Sequence, residues 1–210
     1  MNTGSVSLDM IVFSHVRWSD VYQRLHHLMV RYARNRRIFF FEKPQIGDQK
    51  ESSFEHQYRS GVHVVTPHIP YNFTSTERHD DCRSYIDTLM DEEGVAKFHL
   101  WYSDASALKY SEHLIPVLTI YDGFSNSLVT DHESEQILIN KADLILNQHP
   151  QQKPQLAVGS DVTSDYLLKT FDERNQHLAW DQSWRCVADL EEEAMRRKIR
   201  KATELLTRSL

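Results

Sequence analysis

Leu8-Asp9-Met10-Ile11-Val12-Phe13-Ser14-His15-Val16-Arg17-Trp18-Ser19-Asp20 is the stretch on which the reading of this chain turns. Its first six residues form an apolar run that Ser14 ends. A run of this kind suits a strand buried on both faces, as in a parallel sheet. A helical stripe follows at Val21, Leu25, Leu28, Met29 and Tyr32, with Ser19 or Asp20 as its N-cap. Arg31, Arg34, Arg36 and Arg37 crowd its end, where a helix favours cations. Residues 38–41, Ile-Phe-Phe-Phe, then read as a second strand, stopped by Pro44.

The same alternation continues along the chain. Strands are expected at 62–66, stopped by Pro67, and at 98–102, 117–121 and 143–146, with a seventh at 156–158. Between them fall a stripe of Cys82, Tyr85, Ile86 and Leu89 ending near Gly94, a short helix at 106–113, and a helix carrying Ile137 and Leu138. Residues 45–60 are polar and without periodicity, and read as a surface excursion. From Asp181 the pattern Trp184, Val187, Ala188, Met195, Ala202, Leu205 and Leu206 is helical, as one long helix or two broken near Arg197. Glu192–Arg196 and Glu193–Arg197 are spaced as helix-supporting ion pairs. The charge run around them reads as a solvated face or as a basic patch for anionic lipid. Strands alternating with helices predict one α/β domain: a Rossmann-like, doubly wound, mainly parallel sheet with helices on both faces and the C-terminal helix packed back on it. A ligand then lies outside the carboxyl ends of the strands, where the strand order reverses.

Composition narrows the classes of function. The chain has 210 residues, a formal net charge of −6 and 40% hydrophobic residues. An acidic balance argues against a nucleic-acid-binding surface. No apolar run approaches the about 20 residues of a membrane span, so membrane contact is at most peripheral. The opening residues lack a basic region followed by an apolar stretch, and two cysteines, Cys82 and Cys186, make neither a disulfide scaffold nor a metal knuckle. A cytoplasmic protein with reduced thiols is the expectation. Gly-x-Gly-x-x-Gly, a Walker loop and Gly-x-Ser-x-Gly are absent, which disfavours dinucleotide enzymes, P-loop kinases and serine hydrolases. The 12 histidines include no His-x-x-x-His pair, and no metal or other cofactor is expected.

The chemistry-bearing residues gather at expected strand ends. Ser14, His15, Arg17 and Trp18 follow the first strand, with Gln23 and Arg24 just beyond. Imidazole takes a proton near neutral pH, guanidinium meets carboxylate or phosphate, and indole stacks on a sugar face. Trp101 and Tyr102 close the fourth strand and Asp122 the fifth; His68 lies between Pro67 and Pro70. Asp122 either orients His15 or bonds a sugar hydroxyl, or, before Gly123, caps a helix. Packing roles for Trp18 and a surface role for His68 stand beside these readings.

The blocks Asp9-Met10-Ile11-Val12-Phe13-Ser14-His15-Val16-Arg17-Trp18, Val21-Tyr22-Gln23-Arg24 and His27-Leu28-Met29 resemble the opening of a bacterial glycosyltransferase group with the GT-B fold and a family-4-like N-terminal domain. Phe40-Phe41-Glu42-Lys43-Pro44, Gly61 through Pro70, Leu100-Trp101-Tyr102, Ile120-Tyr121-Asp122 and Lys141-Ala142-Asp143-Leu144-Ile145 match in order. The resemblance covers about residues 8–165. Leu25 departs from it where Pro is expected, and so does the continuation of Tyr121-Asp122-Gly123-Phe124.

The resemblance implies a GT-B N-terminal domain over 1–165 and, over 166–210, a linker and a segment like the family's closing helix at 177–184. Gly159-Ser160-Asp161-Val162 resembles the hinge into a donor domain, yet about 50 residues follow it, and no Glu has another Glu eight positions on. The implied function is the acceptor-side half of an enzyme of polysaccharide or glycoconjugate synthesis. Its implied site has His15 and Asp122 as catalytic residues, and Ser14, Arg17, Trp18, Gln23, Arg24, His68, Trp101 and Tyr102 as substrate contacts. The implied partners are a saccharide or lipid-linked saccharide acceptor and a donor-domain protein or a second copy. Three readings follow: one half of a split transferase, a non-catalytic saccharide-binding or regulatory relative, and a folded remnant. Exposure of Trp18, Trp101 and Tyr102 favours the first two; their burial favours the third.

Overall fold

The computed structural model describes residues 8–123, 131–146 and 176–208, with side chains from 184 to 207 in the last segment. Among the described residues eight strands form one sheet. They are β1 (Asp9–Phe13), β2 (Ile38–Phe41), β3 (Gln45–Gly47), β4 (Ser53–Arg59), β5 (Val62–Pro70), β6 (Phe98–Tyr102), β7 (Leu118–Asp122) and β8 (Leu144–Leu146). The order is β3-β5-β2-β1-β6-β7-β8, and β4 pairs with β5. Every pairing is parallel except β4 with β5. Removing β3 and β4 leaves the strand order of a doubly wound Rossmann-like sheet, with its reversal between β1 and β6.

The helices are α1 (Arg24–Tyr32), α2 (Ser75–Glu92), α3 (Leu108–Ser111) after a 3-10 turn at Ala105–Ala107, α4 (His132–Lys141) and α5 (Gln176–Arg208). Side chains alternate along each strand, so the sheet divides two cores. Met10, Val12, Ile38, Phe40, Trp101 and Ile120 pack under α1 and α5. Ile11, Phe13, Phe39, Phe41, Leu100, Tyr102 and Tyr121 pack under α2, α3 and α4. The α/β sheet covered on both faces is thus as the alternation predicts, with the C-terminal helix laid back on it.

Three expectations are corrected. Residues 45–60 form β3 and the edge strand β4, because β5 offers pairing positions that a local pattern cannot reveal. Pro67 does not stop β5. It falls between the β2 ladder, ending at Val65, and the β3 ladder, starting at His68, where a missing N–H removes no bond on that side. Helix α1 starts at Arg24, not at Ser19 or Asp20. Gln23 is its N-cap, its own N–H donating to His26 Nδ1 at 3.1 Å, and Val21 is 84% exposed. Asp20 instead accepts from Arg17 N at 3.0 Å.

Helix α5 runs unbroken past Arg197, and both expected ion pairs form, Arg196–Glu192 at 2.6 Å and Arg197–Glu193 at 2.5 Å. Its residues 201–207 are exposed, Leu205 and Leu206 included. The strand expected at 156–158, the hinge at 159–162, the boundary at 165 and Phe124 lie outside the described residues. No helix among the described residues is long and apolar enough to cross a membrane.

Candidate functional site at the carboxyl ends of the central strands

The strand order reverses between β1 and β6, the place at which an open α/β sheet generally holds a ligand. His15 leaves β1 there, and Ser103 and Asp104 leave β6. Ser103 Oγ donates to the Phe13 carbonyl at 3.2 Å. It then accepts from His15 Nδ1 at 3.0 Å and from the His15 backbone N–H at 3.4 Å. A hydroxyl has one proton, so this pattern makes Nδ1 the protonated nitrogen and leaves the Nε2 lone pair bare. Burial holds the His15 pKa below its ordinary value, against the charges of Asp122 and Asp104, which pull it up. The ring is therefore neutral at pH 7 and has the form of a general base.

Asp122 ends β7 and is 2% exposed. It accepts from Arg24 Nη2 at 2.6 Å, tying the end of β7 to the first turn of α1. Asp122 acts on His15 through its charge, while the hydrogen bond that orients the ring comes from Ser103. Ser14 is buried and stays within the loop, its hydroxyl donating to the Val16 carbonyl at 2.8 Å.

A second carboxylate organises the other side of the loop. Glu42, at the end of β2, is 5% exposed. It accepts from Trp18 N at 2.6 Å and from Thr66 Oγ1 at 2.8 Å, and Arg17 Nη1 lies 3.6 Å away. Trp18, half-buried, meets Phe40 and His26 edge-on at 5.0 and 5.2 Å. His26 Nδ1 accepts from Gln23 N, so its Nε2–H donates to the Arg17 carbonyl at 2.9 Å. Residues 17–23 are thereby pinned at both ends. Burial lowers the His26 pKa as well, which keeps the neutral form that this pair of bonds requires.

The expected site residues therefore divide. His15, Ser14, Arg17, Trp18, Gln23, Arg24 and Asp122 share one loop cluster. Gln23 serves as a cap, and Arg24 carries an ion pair with Asp122. His68 stands apart on β5, beyond β2, with Glu55 at 3.6 Å. Trp101 and Tyr102 are corrected to core residues, 0% and 2% exposed. The Tyr102 hydroxyl bonds Ser111 at 2.7 Å and its ring stacks on Phe13 at 5.4 Å. A central parallel strand is covered on both faces to its last residue, so neither ring presents a face to a ligand. Glu42 and Ser103 are the residues that sequence reasoning missed. Their signal was a polar residue directly after an apolar strand, at positions 42 and 103. Among the described residues no group of three or more His, Cys, Asp or Glu side chains is placed to hold a metal ion.

No protein-family model matches this chain, and no curated protein matches it in sequence.

Proposed function

We propose that this chain is the acceptor-side half of a GT-B-type glycosyltransferase that works without a metal, the nucleotide-sugar being held by a separate donor domain. The observation that carries this reading is His15 at the strand-order reversal, with Nδ1 fixed by Ser103 and Nε2 left unprotonated by that bond. In the proposed step an acceptor hydroxyl gives its proton to His15 Nε2. Its oxygen forms the new bond to the anomeric carbon, and the nucleoside diphosphate departs with the electrons of the broken bond. Arg17 and Trp18 flank the acceptor. The Arg24–Asp122 pair holds α1 against β7 and sets the field at the imidazole.

A second reading, the remnant, a folded relative without activity, is favoured by the burial of Trp101 and Tyr102, which removes two stacking platforms. Calorimetric titration separates the two. The ligands are UDP, GDP, ADP, their common sugars and a panel of bacterial polysaccharide fragments. The proposal expects a saccharide fragment to bind, with affinity falling about tenfold or more, about 1.4 kcal/mol, in His15→Ala. Stability of that variant changes by about 1 kcal/mol or less, since Ser103 keeps its bond to Phe13. Nucleotide binding tighter than about 1 mM overturns the separate donor domain. Absence of saccharide binding in the unaltered chain favours the folded relative.

A further inference from the structure

The β4–β5 hairpin brings together two histidines seven residues apart that no local motif links. Its ladder runs from Ser53↔His68 to Arg59↔Val62, closed by Ser60 and Gly61 at φ 52° and 86°. His56 sits mid-way along β4 and is exposed; His63 lies diagonally across on β5. His56 Nε2 and His63 Nδ1 share an N–H···N hydrogen bond at 3.1 Å, with ring centroids at 5.2 Å. His63 is held by its neighbours, its ring 4.8 Å from Phe39 and edge-on to Tyr58 at 5.1 Å.

Two imidazole nitrogens bound to one tetrahedral zinc at about 2.0–2.1 Å stand about 3.3 Å apart. The observed pair reaches that spacing by opening a few tenths of an ångström, roughly, with the proton between the two nitrogens moved to the outer nitrogen of its ring so that both lone pairs face the metal. Both nitrogens lie on an exposed hairpin within reach of solvent cations. Asp9 and Glu93 act on His63 through their charges and favour a cation there, with Arg37 opposing. Imidazole ligands select zinc, nickel and copper over calcium and magnesium, which require oxygen.

We propose that His56 and His63 bind one divalent transition-metal ion of the zinc, nickel or copper class, with water completing its coordination. Two protein ligands make this an open, exchangeable site rather than a closed structural one. It lies near the amino end of β5, whereas His15 lies at the carboxyl ends of the strands. Neither proposal depends on the other.

Zinc chloride titrated calorimetrically into the full chain tests it, with His56→Ala, His63→Ala and His68→Ala in parallel. Because the chain has 12 histidines, the difference between variants is the readout. One zinc equivalent is expected to vanish, or weaken at least tenfold, in His56→Ala and in His63→Ala, and to persist in His68→Ala. An isotherm unchanged by His56→Ala overturns the site, as does loss of that equivalent in His68→Ala or absence of zinc binding in the unaltered chain. His56 is exposed and its truncation leaves the packing intact, so this variant decides alone if His63→Ala does not fold.

Discussion

Glu42 shows at the residue scale how a carboxylate can be buried without being stranded. Its two oxygens accept from Trp18 N and Thr66 Oγ1, with the Arg17 guanidinium alongside. Removing it leaves a buried N–H and a buried hydroxyl without partners, the costly case for hydrogen bonds. Glu42→Ala is expected to cost about 2–3 kcal/mol in urea unfolding. A loss under about 0.5 kcal/mol would mean that the loop after β1 is held by something else. The residue types of this site were legible at positions 14–18, because polar and basic side chains follow an apolar strand. Their roles were not. Nothing local says that Ser103 fixes the His15 tautomer, since the two are 88 positions apart.

At the scale of elements, α5 is held to the sheet by apolar packing and by one buried polar cluster. Val187, Leu190 and Ala194 face the core under β1 and β6. Beside them Glu191 Oε1 accepts from Arg36 Nη1 at 2.7 Å and from His99 Nδ1. Burial alone would raise the Glu191 pKa, but the His99 bond and the Arg36 charge outweigh it and hold the carboxyl below 4.5. Truncating one member of a buried pair leaves the others uncompensated. Glu191→Ala is expected to destabilise by about 3 kcal/mol or more, and Glu193→Ala, which loses only a surface pair with Arg197, by about 0.5 kcal/mol or less. Equal effects in a denaturant series would refute this account of α5 docking. The helix was legible from its stripe and charge spacing; that it continues unbroken past Arg197 was not. The start of α1 was misread because Ser19 and Asp20 are good caps by type, whereas the Gln23–His26 box depends on the anchorage of His26 at the Arg17 carbonyl.

The whole molecule combines these buried groups into one response to acid. Burial holds His15, His26, His63 and His79 below the ordinary 6.5. The unfolded chain therefore takes up more protons than the folded one as pH falls below 6.5, and stability declines with pH in that window. Below it, protonation of Glu191 removes a further contribution, present above 4.5 and lost as pH falls through its lowered folded value. The melting temperature is expected to be level between about pH 7 and pH 8, to fall progressively on acidification, and to fall again at higher pH, where burial keeps the Cys82 thiol and the Tyr102 hydroxyl protonated in the folded chain alone. Scanning calorimetry across that range checks it, and a melting temperature that rises below pH 6.5 contradicts it.

Local order in the sequence determined the α/β class, the succession of apolar strands and the helices with clear stripes. Those features follow from the periodicity of one segment against one core, which a segment carries in itself. Tertiary structure alone decided the edge strand β4, the passage of β5 through Pro67, the core fate of Trp101 and Tyr102, and the partners of His15, Glu42 and His56. Each of these depends on what another segment, distant in sequence, presents across a ladder or a strand end. A parallel sheet makes all of its pairings at such a distance, so its strands are visible in the sequence while their neighbours are not.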